Sequence, residues 1–249
     1  MESSAFRFKQ FSVDHQKSSM KVGVDAVLLG SWAKSFGDRI LDVGTGCGII
    51  ALMMAQRNPK AHITAIDIDD QSIEEATHNF EHSPWADRLI AQLADFNKFF
   101  PKHGLFDLII SNPPFFHSGI NDLSSARLRA RHEGDLNLSS LLDRSHSLLK
   151  AGGRMALIFP YERYDSFVRL LDDKQFSLLR VCHVRNKEKK GFKRSMVEVV
   201  KRVPDLLGDN GVEIHRPGFI EEFLLTMFDE YGLPSKTYRD LCHDFYLKF

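Results

Sequence analysis

The chain has 249 residues, with 33 Lys and Arg against 33 Asp and Glu, so its formal net charge is zero. This balance argues against a generally basic nucleic-acid coat protein and against a disordered acidic tail, although it leaves room for a local basic patch. No apolar run approaches about 18 residues, so we expect no transmembrane helix and no membrane partner.

The N-terminal segment and the cysteines indicate the compartment. Residues 1–20 lack the apolar stretch of a secretory signal. The three cysteines, Cys47, Cys182 and Cys242, are far apart and form no Cys-x-x-Cys pair, which is typical of a reducing environment. We therefore expect a cytoplasmic protein.

Strand-like and helix-like segments alternate along the middle of the chain. Strands are predicted at Arg39–Val43, His62–Asp67, Leu89–Leu93, Phe106–Ser111 and Arg154–Phe159, and helices at Gly48–Arg57, Asp70–Phe80, Leu138–Lys150 and Tyr164–Asp173. Nearly continuous apolar strands are typical of a parallel sheet with helices on both faces, so an α/β fold is predicted. Phe176–Val184 and Met196–Val203 follow as strands with no helix between them, which favours an antiparallel hairpin at the sheet edge.

Three of the predicted strand ends carry residues suited to binding. They are Asp42–Gly48, Asp67 and Asn112–Phe115. In open α/β sheets, ligands bind outside the carboxyl ends of the strands. We therefore expect these three segments to open on one crevice.

The first of these segments is a glycine turn, with Gly44, Gly46 and Gly48 between a strand and a helix. Glycine lets the backbone turn sharply and approach a ligand, and the following helix presents free N–H groups to an anionic group. Asp67 lies 19 residues after Gly48 at a strand end, where an acidic residue commonly binds ribose hydroxyls. A nucleoside-containing cofactor is predicted.

The spacing of the turn indicates which cofactor. Gly-x-Gly-x-Gly differs from the dinucleotide pattern Gly-x-Gly-x-x-Gly. A carboxylate at Asp42 would suit the cationic amino or sulfonium end of S-adenosylmethionine and would repel a pyrophosphate, so a nicotinamide cofactor fits less well. Asp95, after the third strand, is a candidate acceptor for the adenine amino group; the alternative is a helix N-cap.

The second turn, Asn112-Pro113-Pro114-Phe115, is rich in acceptors because its prolines lack N–H groups. Acceptors on Asn112 and the Pro113 carbonyl would hold both hydrogens of an sp² amine and free its lone pair for attack on a sulfonium methyl group. Phe115 would stack on the base, which must flip out of any stacked structure. The alternative is a proline-rich loop terminator.

Together the two turns resemble those of the class I S-adenosylmethionine-dependent methyltransferases, in the branch that methylates adenine amines or glutamine amides. Five other segments look like those of the bacterial tRNA(Val) (adenine-37-N6)-methyltransferases: Phe8–Phe11, Met20–Asp25, Leu28–Trp32, Ala130–Glu133 and Asp244–Lys248. The resemblance implies a Rossmann-like, mostly parallel seven-stranded sheet with an antiparallel edge hairpin. It also implies methyl transfer to adenosine 37, beside the anticodon.

The resemblance implies further placements. Val22, Gly23 and Asp25 would lie over the cofactor; the alternative is a helix entry packed on the core. One domain, 1–249, is expected, with a lead-in (1–38), a catalytic core (39–203) and a helical tail (204–249). The stretch 205–234 is longer than the family pattern suggests.

A basic cluster interrupts the balanced charge. Residues 185–194 carry six basic side chains and one acidic side chain, on the predicted hairpin. RNA phosphates are the predicted partners of Lys187, Lys189, Lys190, Lys193 and Arg194, and also of Arg127, Arg129 and Arg131 after the catalytic turn. The alternative is a solvated turn.

The predicted function is methyl transfer from S-adenosylmethionine to the N6 amine of an adenine in tRNA, by a monomer that does not act on DNA. Three alternatives stay open: glutamine methylation of a release factor, adenine methylation of ribosomal RNA or DNA, and a donor-binding module without turnover. The eleven histidines show no His-Glu-x-x-His spacing, so no metal is expected.

Overall fold

A computed structural model describes residues 5–18, 21–113, 138–203 and 220–249. The strands are β1 (Phe6–Arg7), β2 (Ser12–Val13), β3 (Arg39–Val43), β4 (His62–Asp67), β5 (Leu89–Leu93), β6 (Phe106–Ser111), β7 (Leu149–Pro160), β8 (Phe176–Arg185), β9 (Arg194–Lys201) and β10 (Glu221–Thr226). The helices are α1 (Val24–Trp32), α2 (Ile49–Arg57), α3 (Asp70–Glu81), α4 (Leu138–Leu148), α5 (Tyr164–Asp173) and α6 (Lys236–Cys242).

The central sheet has the strand order β10-β8-β9-β7-β6-β3-β4-β5, and β1 pairs with β2 separately. The five strands from β3 to β7 are mutually parallel, and β9 runs antiparallel to both β7 and β8. The α/β class and the antiparallel hairpin are therefore confirmed. Because β3 to β7 run in the same direction, their carboxyl ends lie at one edge of the sheet.

The helices cover both faces of this sheet. Alternate residues of β3 point to opposite sides, with Ile40 in the core beneath α1, α2, α3 and α6, and Leu41 in the core beneath α4 and α5. Both side chains are fully buried. Burial on both faces explains why the sequence of this strand is nearly continuously apolar.

Within the described residues the sheet has eight strands, one more than the expected seven. Glu221–Thr226 pairs in parallel with β8, from Glu221 opposite Arg180 to Thr226 opposite Arg185. The segment 204–249 is therefore not purely helical, and the β8–β9 hairpin is not the outermost pair of the sheet. Only Leu225 of β10 is buried. An edge strand that buries one side chain leaves little periodicity for a sequence-based prediction.

Most predicted boundaries lie within two residues of the observed ones, and β7 is the exception. It begins at Leu149, inside the predicted helix Leu138–Lys150, and runs through Gly152 and Gly153 to the predicted strand. The pairing of β7 with β6 is irregular at this point, between Phe106 and Leu108. An irregular start explains why two glycines are compatible with a strand here.

The lead-in is fixed to α3 and to the C-terminal tail. The Glu75 carboxylate accepts hydrogen bonds from the backbone N–H groups of Gln16 (2.6 Å), Lys17 (2.8 Å) and Ser18 (2.9 Å). The Phe8 ring stacks on Tyr246 at 6.0 Å, and the Lys9 N–H donates to the Phe245 carbonyl. None of the described helices has the length and apolarity needed to cross a bilayer.

Gly48 allows a test of the packing beneath the glycine turn. It has φ +85°, and an added Cβ would lie 2.5 Å from the Phe80 ring. Gly48→Ala should lower the free energy of unfolding by about 2 kcal/mol or more, because alanine is strained at this left-handed φ and its Cβ would be forced against the Phe80 ring. Gly104→Ala is the matched control, since it has φ +93° but open space, and should cost about 1 kcal/mol. Urea unfolding midpoints measure both; equal losses would contradict the packing argument.

Candidate active site

The carboxyl edge of the sheet brings the predicted site segments together. Val43 pairs with Ile66 on β4 and with Ser111 on β6, so these three strands end at nearly the same level. The Ser111 hydroxyl donates to the Val43 carbonyl at 2.7 Å and connects two of the ends. The glycine turn, Asp67 and Asn112 thus begin from neighbouring positions, as the sequence predicts.

The glycine turn lies against the end of β4. The N–H groups of Gly44 and Thr45 both donate to the Ile66 carbonyl, at 2.9 and 3.0 Å. Gly44 and Gly46 have φ values of +69° and +55°, and a Cβ on either would meet nothing within 4 Å. Gly48 instead packs on Phe80. The first two glycines are therefore the ones that leave a cradle open for a ligand, while Gly48 shapes the helix start.

Asp67 connects this turn to the end of β4. Its Oδ2 accepts from the Gly46 N–H at 2.9 Å, and its Oδ1 accepts from the Asp69 N–H at 3.1 Å. Burial raises the pKa of this carboxyl, and the two backbone hydrogen bonds oppose the rise. Each carboxylate oxygen keeps a second acceptor site, which suits the hydroxyl groups of a ribose.

Ile68 is a site candidate that the sequence analysis missed. Its side chain is 66% exposed although it follows a buried strand, and it lies directly after Asp67. An exposed apolar side chain beside a carboxylate that is predicted to bind ribose suits the flat face of a base. The available signal was an isoleucine between acidic residues at a strand end.

Asp42 lies beneath the turn and is fully buried. Its Oδ2 accepts from the Thr45 hydroxyl at 2.6 Å and from the Ala51 N–H at 3.2 Å, whereas Oδ1 has no hydrogen-bond partner among the described residues. Burial raises the pKa of Asp42 to about 7, although the two hydrogen bonds by themselves would lower it. A buried carboxylate with an unpaired oxygen fits the cationic end of S-adenosylmethionine, so the residues present fit this donor.

Asp95 has the contacts expected of its alternative role. Its Oδ1 accepts from the Asn97 N–H at 2.9 Å and caps a short 3-10 turn, Phe96–Lys98. The Ala94 N–H donates to the Asp67 carbonyl at 2.8 Å, which places Asp95 close to the end of β4. An adenine contact by Asp95 stays a prediction.

The catalytic turn is described as far as Pro113. Asn112 is half-buried, Pro113 is buried, and none of the described residues forms a hydrogen bond with the Asn112 side chain. The remaining predicted residues of this region lie outside the described ranges: Pro114, Phe115, Arg127, Arg129 and Arg131.

The lead-in residues Val22, Gly23 and Asp25 lie at the start of α1. The Val22 N–H donates to His15, and Gly23 is the N-cap. Asp25 Oδ2 lies 2.7 Å from Arg194 Nε, so a residue predicted for the cofactor and one predicted for RNA form an ion pair. Arg194 pairs with Pro160 at the end of β7, which places this ion pair at the same sheet edge.

The basic turn, defined as residues 186–193 between β8 and β9, also lies at this edge, because Arg194 pairs with Val184 near the carboxyl end of β8. Its lysines are exposed: Lys187, Lys189, Lys190 and Lys193. Their positive charge is therefore on the side of the sheet that carries the glycine turn.

In the described part of the chain, no group of three or more His, Cys, Asp and Glu residues is arranged to hold a metal ion.

Residues 23–164 match the family described as the methyltransferase small domain. The chain is 37% identical over 248 residues to a tRNA1(Val) (adenine(37)-N6)-methyltransferase of Vibrio parahaemolyticus, covering 99% of this chain and 97% of the relative. A protein with the same description from Christiangramia forsetii is 34% identical to this chain, and the alignment covers 100% of both chains.

Solved structures share the fold at lower identity. An Agrobacterium tumefaciens protein described as a predicted O-methyltransferase has a TM-score of 0.63 at 19% identity, over 89% of this chain and 96% of that chain. A Listeria monocytogenes protein assigned to the class I S-adenosylmethionine-dependent methyltransferases has a TM-score of 0.56 at 16% identity, over 81% and 62% of the two chains. These likenesses confirm the predicted Rossmann-like methyltransferase fold.

The raised pKa of Asp42 predicts that donor binding depends on pH. With a pKa of about 7 in the free protein, its carboxyl is neutral at lower pH, and a cationic ligand favours the ionised form. Affinity for S-adenosylmethionine should therefore increase as pH rises from about 5.5 to 7 and then level off. Isothermal titration calorimetry measures this, and Asp42→Asn should flatten the profile.

S-adenosylhomocysteine is the matched ligand control for this profile because it lacks the sulfonium charge. Its affinity should rise less over the same pH range. Equal profiles for the two ligands, or a flat profile in the unmodified protein, would contradict a role for Asp42 towards the donor charge.

Proposed function

The chain belongs to the methyltransferase small domain family and, within it, to the tRNA1(Val) (adenine(37)-N6)-methyltransferases; we propose how it methylates the N6 amine of adenosine 37 in a valine tRNA. One observation supports the placement of the chemistry. Gly44 and Asn112 directly follow Val43 and Ser111, which are paired neighbours on β3 and β6. A donor over the glycine turn and an amine at Asn112 would therefore lie side by side.

The donor site is proposed to consist of Gly44, Gly46, Asp67 and Asp42, with Asp95 and the exposed Ile68 near the adenosine. S-adenosylmethionine supplies an electrophilic methyl group on a sulfonium. The backbone at Gly44 and Gly46 admits the ligand closely, and Asp67 accepts from ribose hydroxyls. The unpaired oxygen of Asp42 stabilises positive charge near the turn.

The acceptor site is proposed to be the Asn112-Pro113-Pro114-Phe115 turn. The Asn112 side-chain oxygen and the Pro113 carbonyl accept the two hydrogens of the adenine amine and hold its nitrogen in line with the methyl group. These acceptors also stabilise the positive charge that develops on nitrogen, and a proton then leaves to solvent. This arrangement needs no general base with a shifted pKa.

The substrate assignment is supported by charge as well as by the names of the relatives. The exposed lysines of the basic turn lie at the edge where Asn112 lies, so they are placed to contact phosphates on either side of a flipped adenosine. The proposal includes action on tRNA rather than DNA, as a monomer, in the cytoplasm.

Asn112 tests the proposed chemistry. Asn112→Ala should lower kcat by about 100-fold because one of the two acceptors is removed, while donor affinity changes less than about twofold. The assay is transfer of labelled methyl groups to unmodified total tRNA, followed by digestion and mass analysis for N6-methyladenosine.

Parallel incubations with ribosomal RNA, duplex DNA and a release factor separate the substrates. Label in the release factor alone would show that the amine was assigned correctly and the polymer wrongly. Full turnover by Asn112→Ala would contradict the activation mechanism.

The basic turn predicts the salt dependence of tRNA binding. Replacing Lys187, Lys189, Lys190 and Lys193 with Gln should lower the slope of log affinity against log salt by about one for each lysine that binds a phosphate. Lys60→Gln is the matched control, since Lys60 is exposed just before β4, at the opposite edge. Filter binding at several salt concentrations measures the slopes. An unchanged slope in the fourfold variant would show that the turn is only solvated and binds no phosphate.

A further inference from the structure

Four rings meet beside the basic turn, at the end of β7. His183 lies at 5.0 Å from Tyr161, 4.7 Å from Tyr164 and 5.6 Å from Phe192, measured between ring centroids. Tyr161 and Phe192 are also in direct contact at 5.2 Å. None of these four residues belongs to the predicted donor site or to the Asn112-Pro113-Pro114-Phe115 turn.

The cluster is held in a defined arrangement. The His183 Nδ1 lies 3.0 Å from the Ser195 hydroxyl on the paired strand, and both tyrosine rings contact His183 edge-on, with interplanar angles of 86° and 88°. The Tyr161 N–H donates to the Lys193 carbonyl at 3.1 Å, which connects the end of β7 to the basic turn. His183 therefore acts as a positioning residue for the outer rings.

The outer part of the cluster faces solvent among positive charges. Tyr161 is 38% exposed, and Phe192 is half-buried within a turn whose lysines are exposed. The Arg185 guanidinium lies 5.6 Å from the Phe192 ring. Two exposed acidic residues, Asp165 and Glu222, also lie near His183. The cluster therefore presents aromatic rings at a basic, solvent-exposed surface.

We propose, on the basis of the function proposed above, that Tyr161 and Phe192 form a stacking surface for an unpaired tRNA base that neighbours the methylated adenosine. On the adjoining strands β6 and β7, Ser111 pairs with Leu157, so Tyr161 follows its pairing residue by four positions and Asn112 by one. The strands lie about 4.8 Å apart and rise about 3.3 Å per residue, so Tyr161 lies about 10 Å further along the strand direction, within reach of a nucleotide next to one held at Asn112. Proteins recognise RNA loops by stacking splayed bases on aromatic rings, and this is tolerant of sequence. Lysines around the rings supply the phosphate contacts.

The test compares three variants in the full-length protein. Tyr161→Ala should raise KM for tRNA about fivefold or more, with kcat changed less than about twofold, because a stacking partner is removed and the acceptors are untouched. Tyr161→Phe should retain the wild-type KM because the ring remains. Phe100→Ala is the matched control: Phe100 is 78% exposed and lies 4.9 Å from the guanidinium of Arg144, which belongs to α4 and not to the basic turn.

Salt dependence separates stacking from charge. Tyr161→Ala should weaken tRNA binding at every salt concentration with an unchanged slope, whereas removal of lysines changes the slope. Phe192→Leu keeps apolar volume without the ring and should give the same rise in KM, even if Tyr161→Ala proves unstable. Thermal melting and donor affinity verify that each variant is folded.

The outcomes distinguish this proposal from the function on which it rests. If the wild-type protein methylates tRNA while Tyr161→Ala and Phe192→Leu keep the wild-type KM, the stacking surface is overturned. An equal rise in KM for Phe100→Ala would also overturn it, because exposed aromatic residues in general would then contribute. Failure of the wild-type protein to methylate any tRNA would overturn the proposed function itself.

Discussion

The parallel pairing of β3 with β4 and β6 is the constraint on which the rest of the structure depends. Because the three strands run in one direction, the turns after them begin at one edge of the sheet, and Val43 is fixed between Ile66 and Ser111. A ligand over the glycine turn, as proposed above, would thereby lie next to Asn112. Side chains then need only small adjustments, which preorganises the site before substrates bind.

The same edge carries an electrostatic cost. Asp42 is buried with one unpaired oxygen, and its pKa is raised to about 7. A buried carboxylate without a full set of partners disfavours folding in the ionised form, and the cationic donor proposed above would supply the missing interaction. Glycines with positive φ around it avoid the strain that larger residues would add at these positions.

Segments distant in sequence complete this edge. Asn79 on α3 donates to the Asp14 carbonyl of the lead-in and to the Cys47 carbonyl of the glycine turn, both at 2.8 Å. On the other side, the Met227 N–H donates to the Arg185 carbonyl, so the chain after β10 supports the base of the basic turn. The lead-in and the tail thus stabilise the two ends of the surface on which donor and RNA are proposed to meet.

The sequence alone determined the fold class, the family and the edge of the sheet that carries the site. Apolar runs at Arg39–Val43 and Phe106–Ser111, each followed by a turn with unusual composition, are local signals that tertiary contacts did not override. Strand β10 could not be predicted, because only Leu225 is buried and its pairing with β8 joins residues about 40 positions apart. The tertiary structure alone decided the Asp25–Arg194 ion pair and the aromatic cluster around His183. Each of these depends on which side chains long-range packing brings within a few ångströms, and spacing along the chain carries no record of that.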